Sequence, residues 1–567
     1  MDATLTQEEM QHYIRRLHVL EQERKKGWES HWRDLSQHFL PRRARFLDSG
    51  EETNRGDPRN KLQDSIGIMA LRILANGMQS GLTSPARPWF SLTLEDMELA
   101  KSEDAKFWLN AVYENMVSVF SKSNFYDQIH VLYSELAAFG TAAMILEQDV
   151  QGVIRCRTLT VGEYCIDTGE NGRVDSLYRR IRMTPRQVLQ AWPESCPETI
   201  RQSVKSDNAE WITILHAVEP NKEVVRGSGR GNERPWRSVF IVLEGASREC
   251  LEDSGYYEFP ALCPRWVVTG SDVYGACPAM DALPDCKQLQ AISKDTRMAL
   301  ELEVRPPLLV TASTDAGLNI SPGAVNFASG LSKGQDAVIP LYQAKANLTG
   351  AKDTRLELKD QIQRHFHNDL FLMISEAHKN MTATEVAERN GEKMLMLGPV
   401  LDRLRSELFQ PLIERVYGIM DRAGLIPFPP ESLTEQPIKV EFISILAQAQ
   451  KAAGVGTVGQ MVQFIGQLAA LKQSPEPLDK LDVDKVIDVM ADLLGSQPGI
   501  ILSDDAAEEI RLQRAQQVQQ AQQMEMLSKG AEIADRGSKA LGNLAAGAAL
   551  SGQQGSGQPA LPSGVGI

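Results

Sequence analysis

No stretch of this sequence reaches about 18 uninterrupted apolar residues, the length a membrane-spanning helix needs. The first residues, MDATLTQEEM, have neither the cationic nor the apolar region of a secretory leader. Neither secretion nor membrane spanning is expected. The seven cysteines are odd in number and contain no C-x-x-C pair, which argues against a disulfide framework or a paired-cysteine metal site. They read as buried or free thiols in a reducing compartment. Positive charge is also short: 60 Lys and Arg face 74 Asp and Glu, a formal net charge of -14. A protein that coats nucleic acid normally rests on a basic surface that releases counterions. DNA meeting this chain should therefore pass without being gripped.

Catalytic patterns are missing too. There is no G-x-x-x-x-G-K-[ST] phosphate loop, no H-E-x-x-H and no G-x-S-x-G elbow. The glycines of NKEVVRGSGRGNERPW (221–236) do not follow a strand and open a helix, so they form no phosphate loop. His365, His367 and Asp369 are the least implausible metal ligands. On a helix, however, positions two apart do not face one direction. No catalytic, cofactor or metal site is expected.

What is present is a chain of 567 residues with 42% hydrophobic content, enough for several domains with real cores. Its organising stretch is Met381 to Ala423. Thr382 and Glu385 have the spacing of a capping box, which starts a helix. Leu397, Leu401, Leu404, Leu408, Leu412, Val416 and Ile419 then recur at steps of three and four. That periodicity predicts one buried stripe, with Asp402, Arg403, Arg405, Glu407, Glu414 and Arg415 off it. At 1.5 Å per residue, roughly forty residues span about 60 Å. Pro399 and Pro411 should bend this helix. Taken alone, the stretch also suits a long core helix of any large α-rich protein.

In chain order, Thr6 and Glu9 form another capping box, opening a helix that carries Trp28, Trp32, Leu35 and Phe39 and ends at Pro41. The basic segment holding Arg42, Arg43 and Arg45 reads as a solvated loop, with a nucleic-acid or partner role as the alternative. A second helix is predicted from Lys61, carrying Leu62, Ile66, Met69, Ile73 and Met78 before Gly77 and Gly81 loosen its end. After Pro85 and Pro88, residues Trp89 to Leu94 look like a short strand. Helices are expected over Asp104–Lys122 and Phe125–Phe139, then a strand-like run from Thr141 to Leu146.

Between Arg155 and Val268, short alternating runs predict a β-rich insertion in an α-rich body. Helical period returns over Ala282–Val304 and stops at Arg305-Pro306-Pro307. About 45 residues of β-prone character follow, then a helix over Thr354–Ile374, the loop SEAHKN and the long helix. Two helices flanking a small excursion form a stalk with a tip. After Gly424 the pattern is helical again over Phe442–Ala453, Val458–Leu471 and Asp484–Leu494. Ser503 can cap a Gln-rich last helix, and the low-complexity tail from Ser551 is expected to be disordered.

Several stretches together resemble the portal, or head-to-tail connector, proteins of short-tailed bacteriophages. They are ILANGMQSGLTSPARPWFSL (73–92), EFPALCPRWVVTGSDVYGACPAMDALPDCKQLQ (258–290), RPPLLV (305–310), SPGAVNF (321–327), NMTATEVAER (380–389) and ILAQAQKA (445–452). They occur in the family's order and cover most of Thr6 to Leu502. The resemblance implies an α+β, mainly helical portal fold, with wing, two-helix stem, small α/β clip, long kinked wing helix and helical crown, assembled as a ring. Residues 1–277 would be wing, 278–304 and 352–374 the stem, 305–351 the clip and 375–380 a tunnel loop. The long wing helix would take 381–424 and the crown 425–502. A C-terminal helix at 503–550 could extend the crown as a barrel, ahead of the disordered tail at 551–567.

The same resemblance implies the partners and the place. Twelve copies would form a ring at one capsid vertex, through which double-stranded DNA passes without sequence specificity. The terminase large subunit, then a tail adaptor protein, would dock at the clip, with major capsid and scaffolding proteins as neighbours and no membrane. The protein would belong to the virion after assembly in the host cytoplasm, with no enzymatic activity and no cofactor. Ser375, Glu376, His378, Lys379 and Asn380 are the tunnel-loop candidates. Leu308, Val310, Asn319, Val325 and Phe327 are the docking candidates on the clip. Lumen-facing residues are expected to be net acidic or neutral. The rival readings are another virion structural protein, of ejection or scaffold type, and a metal-dependent DNA-processing enzyme.

Overall fold

The computed structural model describes residues 5–41, 62–94, 102–206, 210–222, 230–244, 248–311, 319–328, 338–340, 348–371, 397–430, 438–442, 481–494 and 507–520, most of 458–471, and positions 43, 96, 99, 224 and 433. The chain divides into two units, Met1–Leu481 with Val489–Gly495, and Asp482–Asp488 with Ser496–Ile567. In the second, Arg511 pairs with Asp484 at 2.6 Å.

The core of the first unit is built from helices. Ile66–Leu82 buries Gly67, Ala70, Leu71, Leu74, Ala75, Gly77 and Met78. It begins at Ile66 rather than Lys61, and Met69 is 53% exposed while the small residues are buried. The reason is that small residues, not large ones, face the neighbouring aromatics. Gly67 lies against Phe39, and a Cβ on Gly77 would collide with the Phe371 ring. Gly77 therefore admits a close helix approach and does not loosen the helix end.

Helices Glu103–Lys122 and Phe125–Phe139 lie where their periodicity predicts. Between and beside them Trp89, Phe90, Phe120, Phe125 and Phe409 form an aromatic cluster, with Trp89 stacked on Phe125 at 6.1 Å. Strand β1, Phe90–Leu94, lies there as well.

The β-rich part resolves into two sheets. Strands β2 (Ala143–Asp149) and β3 (Val153–Leu159) pair antiparallel and are joined by β9 (Ala261–Leu262). Strands β4 (Tyr164–Thr168), β5 (Val174–Met183), β6 (Ile212–Pro220), β7 (Trp236–Val242) and β8 (Cys250–Tyr256) form a five-stranded antiparallel sheet in sequence order.

The first helix, Gln7–Arg24, opens on the expected box: the Glu9 amide donates to Thr6 Oγ1 at 3.3 Å and Glu9 Oε2 accepts from the Thr6 amide at 2.8 Å. It covers one face of that sheet, packing Tyr13, Ile14 and Leu17 on Tyr178, Leu215 and Val239. The short helices Pro185–Ala191 and Glu198–Lys205 cover the other through Val188 and Ile200. A five-residue π turn, Lys25–Glu29, links the first helix to Ser30–Phe39.

The organising helix is described from Leu397, and its first part, with Thr382 and Glu385, lies outside the described residues. The predicted stripe is real: Leu404, Leu408, Leu412 and Val416 are fully buried. Pro399 sits in the first turn of Gly398–Leu404, while a π turn over Arg405–Phe409 precedes Pro411 and Gln410–Arg422. A π turn widens the backbone ladder where proline would otherwise clash with the preceding turn.

Of the residues expected off the stripe, Arg415 is buried and Glu407 half-buried, each with internal partners. Arg415 donates to the Leu146 and Glu258 carbonyls at 2.8 and 2.9 Å. Glu407 pairs with Arg265 at 2.7 Å and also accepts from the Arg265 amide at 3.0 Å. The helix is wrapped by β-structure on a second side, so its polar residues there need internal partners.

Phe442 belongs to a strand rather than a helix start. β13, Ile438–Phe442, pairs antiparallel with β1 in the register Phe90↔Phe442.

Candidate functional site: a helix pair capped by a small sheet

Pro278–Val304 starts with proline in its first turn, where the missing donor costs nothing, and ends at Arg305 before Pro306 and Pro307. Its partner is Leu348–His365. The two run antiparallel: Asp285 near the start of one faces His365 at the end of the other, at 3.3 Å.

A turn just ahead of Ile66 ties them together. Gln290 Oε1 accepts from the Gln63 and Asp64 amides at 2.6 and 3.1 Å, and its Nε2 donates to the Asp64 carbonyl at 2.6 Å. The Asp64 carboxylate reaches Lys359 at 2.8 Å and Arg355 at 3.5 Å. Burial opposes charge on Asp64, but Lys359, the Ile66 amide and Arg355 together hold its carboxyl below the ordinary range. No periodicity marks this clamp, because its partners come from three separate segments. The only local signal is an Asp ahead of a helix, where Asp64 Oδ1 accepts from the Ile66 amide at 3.1 Å.

Burial divides the pair in two. Ala279, Ala282, Leu283, Cys286 and Leu289 on one helix, with Leu358 and Ile362 on the other, belong to the core. Past Ser293 and before Leu358, apolar side chains are uncovered: Met298 is 50%, Leu300 44%, Val304 76% and Leu356 56% exposed. On these two helices five carboxylates stand against three Lys and Arg, and three against four, one negative charge in excess.

At the Val304 end the chain forms a three-stranded sheet. β10 (Leu308–Thr311) lies between β11 (Val325–Ala328), parallel to it, and β12 (Val338–Pro340), antiparallel. Asn326 turns inward, with Oδ1 accepting from the Asn319 amide at 2.5 Å and Nδ2 donating to the Asn319 carbonyl at 2.8 Å. Its neighbours Val325 and Phe327 are 47% and 45% exposed.

The five docking candidates thus come together here. Leu308 and Val310 sit on the central strand, Val325 and Phe327 on β11, and Asn319 is bound to the side chain between those two. The tunnel-loop candidates Ser375, Glu376, His378, Lys379 and Asn380 lie outside the described residues.

The expected helix Thr354–Ile374 is interrupted. His367 takes the left-handed backbone at φ 51°, so the helix ends at His365, and Asn368 beyond the break is buried. His365 is engaged with Asp285, and burial, partly countered by Asp369, lowers the His367 pKa. Among the described residues no three His, Cys, Asp or Glu are grouped to hold a metal ion. No described helix is long and apolar enough to cross a membrane.

None of the seven cysteines is in a disulfide; six are buried and Cys250 is half-buried. Burial pushes the Cys156, Cys277 and Cys286 thiols up to about 12, where they are unreactive.

Residues 10–501 match the model of the bacteriophage head to tail connecting protein family, and the chain belongs to that family. These are structural proteins of the virion. A portal protein of Salmonella phage epsilon15 is 39% identical over 546 residues, 95% of this chain and 96% of its own length. A probable portal protein of Bordetella phage BPP-1 is 38% identical over 515 residues, 90% of this chain and 92% of its own. One solved structure, the neck of an empty GTA particle, overlays 70% of this chain and 86% of its own at 10% identity and a TM-score of 0.34, a likeness too slight to bear on the fold.

Proposed function

We propose that this chain is the portal of a tailed phage: a ring of twelve at one capsid vertex, through which double-stranded DNA enters during packaging and leaves during ejection. In this reading the two antiparallel helices are the stem, the small sheet with its flanking segments is the clip, and 375–380 is a loop in the channel. The terminase large subunit, which supplies the ATP hydrolysis, docks at the clip and is later replaced by a tail adaptor. Capsid and scaffolding proteins surround the wing during assembly in the host cytoplasm.

The observation that supports this most is the uncovered outer half of the helix pair. Met298, Leu300, Val304 and Leu356 are exposed and enter no core among the described residues, and side-by-side copies would bury them. The family membership and the two portal relatives agree with it.

Negative-stain end views of the purified protein test the reading. Rings with a central hole and twelvefold symmetry are expected, sedimenting as about twelve chains of 62.8 kDa each. A compact single chain without an opening, even at high concentration with scaffold present, would overturn it and favour an ejection or scaffold protein. For the loop, replacing 375–380 by a Gly/Ser stretch should lower genome retention in assembled particles; unchanged packaging and retention would remove it from the mechanism.

A further inference from the structure

Among the described residues the buried arginines are Arg24, Arg179, Arg265 and Arg415. Three of them direct Nη nitrogens at acceptors of the chain itself. Arg24 donates to the Gly162 and Tyr164 carbonyls, Arg265 to the Gly172 carbonyl and the Glu407 carboxylate, and Arg415 to the Glu258 carbonyl. Arg179 does not. Its Nε donates to His216 Nδ1 at 2.9 Å, and among the described residues nothing accepts from its Nη1 or Nη2. Both nitrogens keep some contact with solvent, in a residue that is only 4% exposed. A charge buried this far normally has a carboxylate or several carbonyls around it.

The sheet explains how Arg179 comes to be placed so. Arg179 and His216 stand opposite each other on β5 and β6, with Phe240 next in the row on β7. Side chains in such a row share a face. By alternation this face is turned away from the first helix, which packs on Tyr178, Leu215 and Val239. The rows on either side are apolar: Leu177 enters the main core, while Ile214 and Val242 lie under the two short helices. His216 is stacked on Phe240 at 4.1 Å between them.

A second cation acts on the same place. On β3, Ile154 and Cys156 are buried while Arg155 and Arg157 are exposed. Arg155 pairs with Asp149 at 2.9 Å, whereas Arg157 pairs with no carboxylate among the described residues. The charge of Arg157 is felt at both Arg179 and His216. Glu147 and Glu163 act in the opposite sense on Arg179 without pairing with it, and Glu163 accepts from the Thr160 amide at 3.4 Å. Burial outweighs these charges and pulls the Arg179 pKa down to about 10.

We infer that Arg179 and Arg157 form an oxyanion site where the five-stranded sheet meets the β2–β3 pair, its ligand a phosphate or carboxylate group. With Nε held by His216, the Nη1–Nη2 edge of Arg179 remains, four N–H donors in one plane that suit two oxygens of one ligand. His216 is the acceptor that leaves this edge its full charge, because a neutral ring offsets none of it. Arg157 supplies the second cation from the solvent side. The site belongs to a single chain, so it goes beyond the portal reading and stands or falls apart from it.

Equilibrium dialysis of the full chain against labelled inorganic phosphate tests this, at neutral pH with ionic strength held constant by chloride. One phosphate per chain is expected, and replacing chloride by phosphate should raise the melting temperature by several degrees in a saturable way. Arg157→Gln, at an exposed position, should weaken binding about tenfold, and Glu147→Gln should tighten it about fivefold. Arg179→Lys keeps a charge but loses the two-pronged edge, and should abolish binding while circular dichroism shows the fold intact. If Arg179→Lys does not fold, the other two variants decide.

Acetate in place of phosphate separates the sources of the ligand. Stabilisation by phosphate alone identifies a phosphate group, and equal stabilisation by acetate identifies a carboxylate such as an acidic side chain of another protein; either supports the site. Stabilisation no greater than in chloride, or phosphate binding that none of the variants changes, would overturn it. So would a large loss of stability in Glu147→Gln without any effect of phosphate, since Glu147 would then be the partner of Arg179.

Discussion

Buried and half-buried cations fix the joints of this protein residue by residue. Arg24 donates to the Gly162 and Tyr164 carbonyls at 3.1 Å, Arg180 chelates Glu21, and Arg265 chelates Glu407, each joining helix to β-structure. Inside the five-stranded sheet, Arg179 Nε donates to His216 Nδ1 at 2.9 Å. Since Nδ1 must accept, the ring proton is on Nε2, which donates to Ser238 Oγ at 3.2 Å. Burial first, then the charges of Arg179 and Arg157, drives the His216 pKa well below its ordinary value.

The unfolded chain therefore takes up a proton at His216 below about pH 6.5 that the folded chain refuses. Stability from this group is intact above that pH and declines as pH falls, by up to about 1.4 kcal/mol per unit. His216→Asn keeps an acceptor for Arg179 but cannot titrate. Its melting temperature should drop less than the parent's between pH 6.5 and 5, and parallel profiles would refute the assignment. Truncation is a different matter: Arg415→Met takes the donor from the Leu146 and Glu258 carbonyls, while Arg422 still holds the Glu258 carboxylate, and should cost about 2 kcal/mol in denaturant unfolding.

Elements differ in how far their sequence reveals them. The Leu404–Val416 stripe and the helices over 103–122 and 125–139 are legible because each repeats a local period. Strands β4 and β8 are not, since YCIDT and CLEDSGY are short and carry acidic residues that the sheet edges tolerate. β13 is invisible for another reason: its partner β1 lies most of the chain away, and only that pairing makes Ile438–Phe442 extended. The docking candidates at the small sheet could be named from their resemblance to a family, whereas the Asp64 clamp beneath them is a tertiary arrangement no local pattern encodes.

Close approach of elements is equally hidden, as Gly77 illustrates. Gly77→Ala should destabilise by about 1–3 kcal/mol, because its methyl meets the Phe371 ring. Combining it with Phe371→Leu should recover part of that loss. A double-mutant cycle by thermal melting with no coupling would mean that the two helices are not held at this point.

For the whole molecule, the question is how a duplex with one charge per about 1.7 Å could slide along the proposed channel rather than stick to it. The excess of carboxylates over the chain, and the near balance on the two antiparallel helices, fit a wall with little net affinity for phosphate. On the outer half of Pro278–Val304, Asp295 and Glu303 are exposed, and Glu301 lies 3.6 Å from Arg297. Reversing charge with Asp295→Lys and Glu303→Lys adds cations at every position around the ring. If these residues face the duplex, variant rings should retain DNA on a filter at about 50 mM salt and release it steeply by about 200 mM, because each phosphate contact formed adds a counterion-release term. The parent rings should retain none at either salt. Packaging by variant particles should slow, since each added contact must be broken for the duplex to advance. Variant rings that assemble normally, hold no more DNA than the parent and package at its rate would place these two side chains away from the DNA, turning that face of the helix toward neighbouring subunits instead.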